Sequence, residues 1–575
     1  MNRFLGQCET LLQSLFQLLS GSIAMWCVLS AAGAAVLAWD ARYDMNPDGI
    51  AYLDMASGTL QYGAATLVNG GWGPLYPALV AVALRLFRPS PSGEYIAVHI
   101  LNWFLFVAAA MSFGFFLKQW LRPAAKDPLN LELERKRVLV PFGFVLFFWS
   151  VNELIGMGTV TPDLLVTSVV FLTAGIGCRL LQSPANSKIA AVLGLVLALG
   201  YFAKPAMFAV ALIALASFLA CSRFGRTARY QTFIATIAFA LISAPFVALM
   251  TQHVGQLTIS ESATGNYLFH VSRVDLLELI RNGTLTHPPR VLIQKPVTLE
   301  FASPIPGTYP LDDDFAYWMA GAKVHFDLRR QVTALIGNLE IIPSLLLTFS
   351  AACGGVLSLL LLTVTNGNAK RPQGRDRTLT WLVMWSLCVC GTFTMVHLEG
   401  RYIAPFVVLL FLVAYRAVMG IQERVTEGAV LLSVLLAMLF QATARVTASG
   451  WNIVRDETEA RRPDNLIIAD AIRNAGVNTG AYVAVVGSGF SAVDYARLAG
   501  VRIVVEIRDE DAFWNLSPSE SIRVSNRLAD LHVRALVSAD STLRLGDSGW
   551  SEVKGLRSSH FQIKPLVETC AENGR

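Results

Sequence analysis

The sequence predicts a polytopic α-helical membrane protein of about eleven transmembrane helices, followed by a soluble C-terminal α/β domain. Three observations predict it. The 575-residue chain is 54% hydrophobic and only 15% charged, with a mean hydropathy of +0.50, whereas a soluble chain of this length would expose far more charge. Apolar runs of about 20 residues, enough to cross a bilayer, recur as far as residue 447. Beyond residue 450 they give way to short β-like runs, "AYVAVVGSGF", "VRIVVEI" and "VRALVSAD", alternating with helical stretches.

Taken in order, residues 1–20 carry leucines at helical spacing and read as an amphipathic helix lying on the membrane, without a small-residue cleavage site after it. Spans are expected at 21–39, 94–117, 138–156 and 162–181, then as two short spans within 188–221 that meet at "AKPA" and Lys204. Further spans follow at 231–250, 341–364, 379–396, 402–419 and 428–447. Residues 74–88, "PLYPALVAVALRLFR", are short, begin among prolines and carry Arg85. Basic residues decide their case. Lys118, Arg122, Lys126, Arg135, Lys136 and Arg137 fall in one loop, Arg223, Arg226 and Arg229 in a second, and Lys370, Arg371, Arg375 and Arg377 in a third. Basic loops stay cytoplasmic, so an even number of crossings separates any two of them. That holds when 74–88 dips into the membrane without crossing it.

This topology places the N-terminus in the cytoplasm; the membrane expected is a bacterial-type inner (plasma) membrane. Loops 40–93 and 251–335 and the domain 450–575 are then extracytoplasmic, with residues 1–449 forming the membrane domain. The eight cysteines show neither CxxC pairs nor Cys/His zinc spacing, which argues against a disulfide framework. There is no internal repeat and no low-complexity tract.

Asp40, Asp44, Asp48 and Asp54 lie within fifteen residues after the first span. On helical spacing Asp44, Asp48 and Tyr52 share a face. Asp163 in "GTVTPDLLVTS" stands at the outer mouth of the fourth span, Lys204 at the outer turn of "AKPA", and "VHLEGRYIAPF" brings His397, Glu399, Arg401 and Tyr402 to another outer junction. Ionisable groups gathered at one membrane face are costly and point to function. Plainer readings exist beside it. Asp48 and Asp163 suit helix starts after proline, Lys204 suits a snorkelling side chain, and Glu399–Arg401 suits a structural ion pair. Asp312, Asp313 and Asp314 in "YPLDDDFAYWMAG" suit a solvated turn, or a place to hold an acceptor or a cation.

In this order, "DGIAY", "GWGPLYPAL", "TPDLL", "AKPA" and "EGRYIAPF" resemble the membrane glycosyltransferases of the GT-C fold, nearest the protein O-mannosyltransferase and aminoarabinose transferase branch. The resemblance implies a sugar moved from a polyprenyl-phosphate-linked donor to an extracytoplasmic protein, lipid or polysaccharide acceptor. It implies that the carboxylate of Asp48, in the first outer loop, serves catalysis as the base for the acceptor hydroxyl, that Asp163 assists it, and that a divalent metal often takes part. The group commonly has Asp-Glu where this chain has Asp48-Gly49, which shifts candidate metal ligands to Asp44, Asp48 and Asp163. Chemistry assigns Lys204 and Arg401 to the departing phosphate, with Tyr52, Glu399 and Tyr402 beside them as substrate-binding candidates. A transporter or flippase for lipid-linked sugars is the alternative class, but inverted repeats are missing and the charges gather at one face.

"VVGSGFSAVDYARLAG" (485–500) fits GxGxxA at Gly487, Gly489 and Ala492, with Glu506 nineteen residues after Gly487. An extracytoplasmic domain has little access to nicotinamide nucleotides, so a βαβ scaffold without a nucleotide cofactor is expected. A nucleic-acid partner is not expected either.

Overall fold

The computed structural model describes residues 22–122, 129–182, 186–274, 290–301, 307–310, 317–318, 322–365, 376–418, 424–539, 549–557 and 560–566. The helix expected at 1–20 and the Asp312–Asp314 turn lie outside the described residues. Among the described residues, eight helices are long and apolar enough to cross a membrane, and five shorter apolar helices accompany them. The chain is a multi-pass membrane protein.

The bundle is built from α1 (Ile23–Asp40), α2 (Pro47–Tyr62), α3 (Leu75–Phe87), α4 (Glu94–Trp120), α5 (Leu129–Leu154) and α6 (Asp163–Gln182). It continues with α7 (Ser187–Ala203), α8 (Met207–Cys221) and α9 (Arg226–Val254). Helices α4 and α6 run side by side through its middle. Phe113 of α4 sits there among Phe144, Phe147 and Phe171, with ring centroids 4.9–5.1 Å apart, the spacing that favours edge and offset contacts between rings.

Helix α3 has 13 residues and is therefore about 20 Å long, short of a hydrocarbon core of about 30 Å. It packs on α2 and α4 while Val82, Leu86 and Phe87 face outward. The AKPA break is real: α7 ends at Ala203, Lys204 is extended, and Pro205 forbids continuation. The loop before α3 depends on Gly73, whose missing Cβ would stand 2.6 Å from the carbonyl oxygens of both Phe202 and Ala203. That close approach seats "GWG" on the end of α7, beside Lys204.

One expected span differs. In place of a single helix over 341–364 there are two, α11 (Ile341–Thr348) and α12 (Ser350–Thr365), and a separate helix, α10 (Leu328–Leu339), stands directly before them. Pro343 cannot donate to the carbonyl of Leu339, so α10 stops before it. Asn338 and Gln331 then fasten α10 to the end of α13 (Arg377–Val396) by bonding the backbone of Thr394, Met395 and Leu398. Helix α14 (Gly400–Val418) follows, and α15 (Arg424–Thr458) closes the bundle. The expected boundary at 449/450 falls inside α15, whose 35 residues reach about 52 Å and extend past the bundle.

The α/β domain begins with α16 (Asp464–Asn474) and carries parallel strands β3 (Tyr482–Val486), β4 (Arg502–Ile507) and β5 (Val533–Ser538). Antiparallel β7 (Gln562–Pro565) and β6 (Ser551–Glu552) extend one side. The other side is completed by β1 (Arg290–Ile293) and β2 (Thr298–Glu300), contributed by the loop 251–335, giving the order β1-β2-β4-β3-β5-β7-β6. Residues 450–575 therefore share their sheet with that loop. At the GxGxxA turn, Glu506 accepts the Gly489 N–H at 2.7 Å and the Tyr309 hydroxyl at 2.6 Å, and pairs with Arg508 at 2.8 Å. The acid that would hold a ribose in a dinucleotide site is spent on the fold's own loop.

Replacing Gly73 with alanine forces backbone to move, because both obstructing atoms are carbonyl oxygens. We expect a loss of about 1–3 kcal/mol, read as a lowered thermal midpoint of the purified protein in lipid.

Candidate active site

Helix α2 opens at Pro47, a residue suited to the first helical position. Asn46 precedes it, and its side-chain oxygen accepts the Val160 N–H at 2.8 Å. This bond ties the start of α2 to the loop that leads into Asp163. Gly49 meets the same loop. A Cβ there would lie 2.8 Å from Cβ of Val160 and 2.5 Å from Sδ of Met45. The departure from Asp-Glu thus has a steric cause, since this packing leaves no room for a second carboxylate at 49.

Asp48 points into a cluster centred on Arg401. The guanidinium Nη1 donates to Asp48 Oδ2 at 3.0 Å, Nε pairs closely with Glu399, and Nε stands 3.9 Å from Asp163 Oδ2. Asp163 begins α6, is 1% exposed, and accepts the Lys204 ammonium at 2.7 Å. That ammonium also lies 4.0 Å from the centre of the Tyr402 ring, a cation–π contact. Tyr52 packs edge-on between Trp72 and Tyr76, at 5.0 and 4.8 Å. Four sequence-distant segments thus bring Asp48, Asp163, Lys204, Glu399 and Arg401 together.

Asp44 stands apart. It precedes the helix begun at Pro47, so it shares no helical face with Asp48, and it is exposed and lines neither of the cavities described next. A metal held by Asp44, Asp48 and Asp163 does not fit this arrangement. Asp48 and Asp163 already face Arg401 and Lys204, and among the described residues no three His, Cys, Asp or Glu side chains group as metal ligands.

Two cavities meet at the cluster. One, of about 380 Å³, is lined by Asp48, Tyr52, Lys204, Glu399, Arg401 and Tyr402, and also by Trp72, His270 and Trp318. The other, of about 560 Å³, is lined by the polar Asn46, Asp48, Glu399 and Arg401 together with the apolar Leu154, Ile155, Ile341 and Leu398. Asp48, Glu399 and Arg401 form their common wall. Asp163 lines neither; it lies behind the two cations. Trp72 lies in the GWGPLYPAL motif and Trp318 in the YPLDDDFAYWMAG stretch, but the sequence singles out neither as a site residue, and His270 carries no signal because its segment has no periodic pattern.

Beside the wall, His397 donates from Nε2 to Glu399 at 2.8 Å, and the His270 ring stacks on His397 at 3.6 Å and 7°. Burial alone would raise Glu399, but the His397 hydrogen bond and the Arg401 charge outweigh it and hold the carboxyl at about 2. Burial, together with the neighbouring His397, lowers His270 to about 4 against the partial opposition of Glu399.

The chain superimposes on ArnT from Cupriavidus metallidurans in its apo state, with 12% identity and a TM-score of 0.54 over 95% of this chain and 98% of ArnT. The fold is that of ArnT, a GT-C fold. ArnT bound to undecaprenyl phosphate aligns over the same shares, 95% and 98%, with 11% identity and a TM-score of 0.52. AglB of Archaeoglobus fulgidus, an archaeal oligosaccharyltransferase solved with an inhibitory peptide and a dolichol-phosphate, aligns over 90% of this chain and 69% of its own at 13% identity, TM-score 0.47. No protein-family model matches the chain, and no curated protein does. The ArnT-like bundle accounts for the converging helix ends.

A histidine lowered in the fold binds its proton later than in the unfolded chain, so its contribution is complete above the ordinary 6.5 and is lost as pH falls towards about 4. We expect the thermal midpoint to decline across that window and His270→Asn to flatten part of the decline, measured by thermal unfolding at a series of pH values.

Proposed function

We propose that the chain is a GT-C glycosyltransferase of the inner membrane, moving a sugar from a polyprenyl-phosphate-linked donor to an extracytoplasmic acceptor with inversion at the anomeric carbon. The observation that carries this reading is the common wall, on which the Asp48 and Glu399 carboxylates and the Arg401 guanidinium face two cavities. An inverting displacement needs attacking and leaving oxygens on opposite sides of one carbon, with a base beside the first and positive charge beside the second. The ArnT-like fold supports a lipid-linked donor, since ArnT binds undecaprenyl phosphate. The basic loops support a cytoplasmic N-terminus and an extracytoplasmic α/β domain.

In this reading the donor phosphate lies in the smaller cavity against Lys204 and Arg401. The acceptor hydroxyl arrives from the larger one, where apolar Leu154, Ile155, Ile341 and Leu398 join the polar residues in the lining. The Asp48 carboxylate takes the hydroxyl proton as the acceptor oxygen bonds the anomeric carbon. The bond from that carbon to the phosphate oxygen breaks, its electron pair stays on the oxygen, and polyprenyl phosphate departs. Phosphate is already a stable anion, so a strong general acid is not required. Lys204 and Arg401 neutralise the growing charge. Asp163 holds both cations from behind, and Glu399, braced by His397, holds the far edge of Arg401.

Arg401 has a second consequence. Its Nη1 is bonded to Asp48 at 3.0 Å, and a phosphate reaching the guanidinium competes with that bond. Donor binding thereby frees the carboxylate to accept a proton, which favours donor before acceptor.

The test uses purified protein in lipid, radiolabelled polyprenyl-phosphate sugars and candidate acceptors. Asp48→Asn should lower kcat about 10²–10⁴-fold, the range for removal of a general base, with little change in donor KM. Lys204→Met should raise donor KM, and a chelator should leave the rate unchanged. An Asp48→Asn enzyme that transfers sugar as fast as wild type removes Asp48 from this role.

A further inference from the structure

We propose that Arg497, in the α/β domain, is a positioning residue for this reaction: it locks helix α2 and so sets the place of the Asp48 carboxylate. The inference rests on the transfer reaction proposed above for its functional consequence, though not for its geometry.

Arg497 belongs to α17 (Val493–Ala499), which lies against α2. Its guanidinium makes three bonds to the membrane domain. Nη1 donates to Asp54 at 2.6 Å, Nη2 to the Ser57 hydroxyl at 2.7 Å, and Nε to Glu94 at 2.8 Å. Asp54 and Ser57 are on α2 and Glu94 opens α4, so one planar group pins two helices to a third element. The Asp54 side chain is 0% exposed and Arg497 only 13%. Asp54 also accepts the Thr308 N–H at 2.8 Å and its hydroxyl at 3.1 Å. Thr308 in turn accepts the Ile503 N–H of β4 at 2.9 Å, and the Tyr95 hydroxyl donates to the Asp494 carbonyl at 2.6 Å.

Asp54 follows Asp48 by six residues, a rise of about 9 Å on one rigid helix. Arg401 holds the start of that helix through Asp48, and Arg497 holds its later turns through Asp54 and Ser57. Arg497 lines neither cavity, so its route to the reaction runs through α2. Removing it leaves two acids beside each other without their cation, in a place that is largely dry. The helix then shifts to hydrate them and carries Asp48 with it. Misplacing a reacting group by about 1 Å costs on the order of 10²-fold in rate.

The experiment uses the full chain in lipid nanodiscs with two readouts, hydrogen exchange over residues 47–62 and transfer kinetics with polyprenyl-phosphate sugar. Arg497→Met should speed exchange over 47–62 by about tenfold, leaving 163–182 and 482–507 unchanged. It should lower kcat by about 10–100-fold with donor KM within about twofold. Arg497→Lys should recover part of the rate. Added to Asp48→Asn, Arg497→Met should cost nothing further under single-turnover conditions, because both act through one carboxylate. Unchanged exchange, or a full further loss on the Asp48→Asn background, overturns the proposal. A wild type that transfers no sugar, while exchange responds as expected, defeats the transfer reading and leaves the helix lock standing. Should Arg497→Met fail to fold, Ser57→Ala and Glu94→Ala each remove one bond and are read against the same two outcomes.

Discussion

A guanidinium set among three carboxylates, at the end of an apolar bundle, is the constraint on which the rest of the structure depends. Charges withdrawn from water are tolerated when every one of them is paired. Asp48, Asp163 and Glu399 come from three separate segments, and each of them meets Arg401. None of these segments can be displaced alone without leaving a charge uncompensated. The fold features around them follow from this demand. Pro205 ends α7 so that Lys204 can reach Asp163, Asn46 ties α2 to the loop preceding α6, and Gly73 lets a tryptophan loop lie on the end of α7.

The same pairing has a chemical side. A cluster in which every charge is already satisfied is stable without substrate, but it is also poised, since an incoming anion can take over a cation only by releasing a carboxylate. Asp163 and Asp48 differ in this respect. Asp163 is sealed at 1% exposure behind two cations, whereas Asp48 is 35% exposed on a wall shared by two cavities. One carboxylate is therefore suited to holding charge in place and the other to exchanging partners. In the proposed reaction this asymmetry divides two aspartates that look alike in sequence.

The sequence made the membrane class, the AKPA break and the shortness of the helix in 74–88 legible, because hydropathy and proline act locally. It also named Asp48, Asp163, Lys204, Glu399 and Arg401, since ionisable residues at apolar boundaries stand out. Asp44 misled because the four-residue spacing assumes a helix, and Pro47 begins that helix three residues later. The three-helix break over 328–365 stayed hidden because apolar content carries no information on where side chains such as Asn338 fasten one helix to another. Strands β1 and β2 stayed hidden as well. They have four and three residues, too few to show a period, and their place is decided by a partner strand some two hundred residues away.

That distant pairing bears on why the α/β domain is present at all. Its sheet takes in the loop 251–335 through β2, and the same loop supplies Thr308 to Asp54, Tyr309 to Glu506, and the Pro310 carbonyl that receives the Trp318 indole N–H at 2.8 Å. Trp318 lines the smaller cavity. The dinucleotide-like turn therefore has a structural use. Its Gly489 N–H holds the acid Glu506, which in turn grips the loop that carries a wall of the cavity through the Tyr309 hydroxyl, while Arg497 grips the helix that carries Asp48. A membrane bundle can gather helix ends, but a loop of this length has no bilayer to order it. A soluble sheet gives it a fixed register, and the cavity inherits that register.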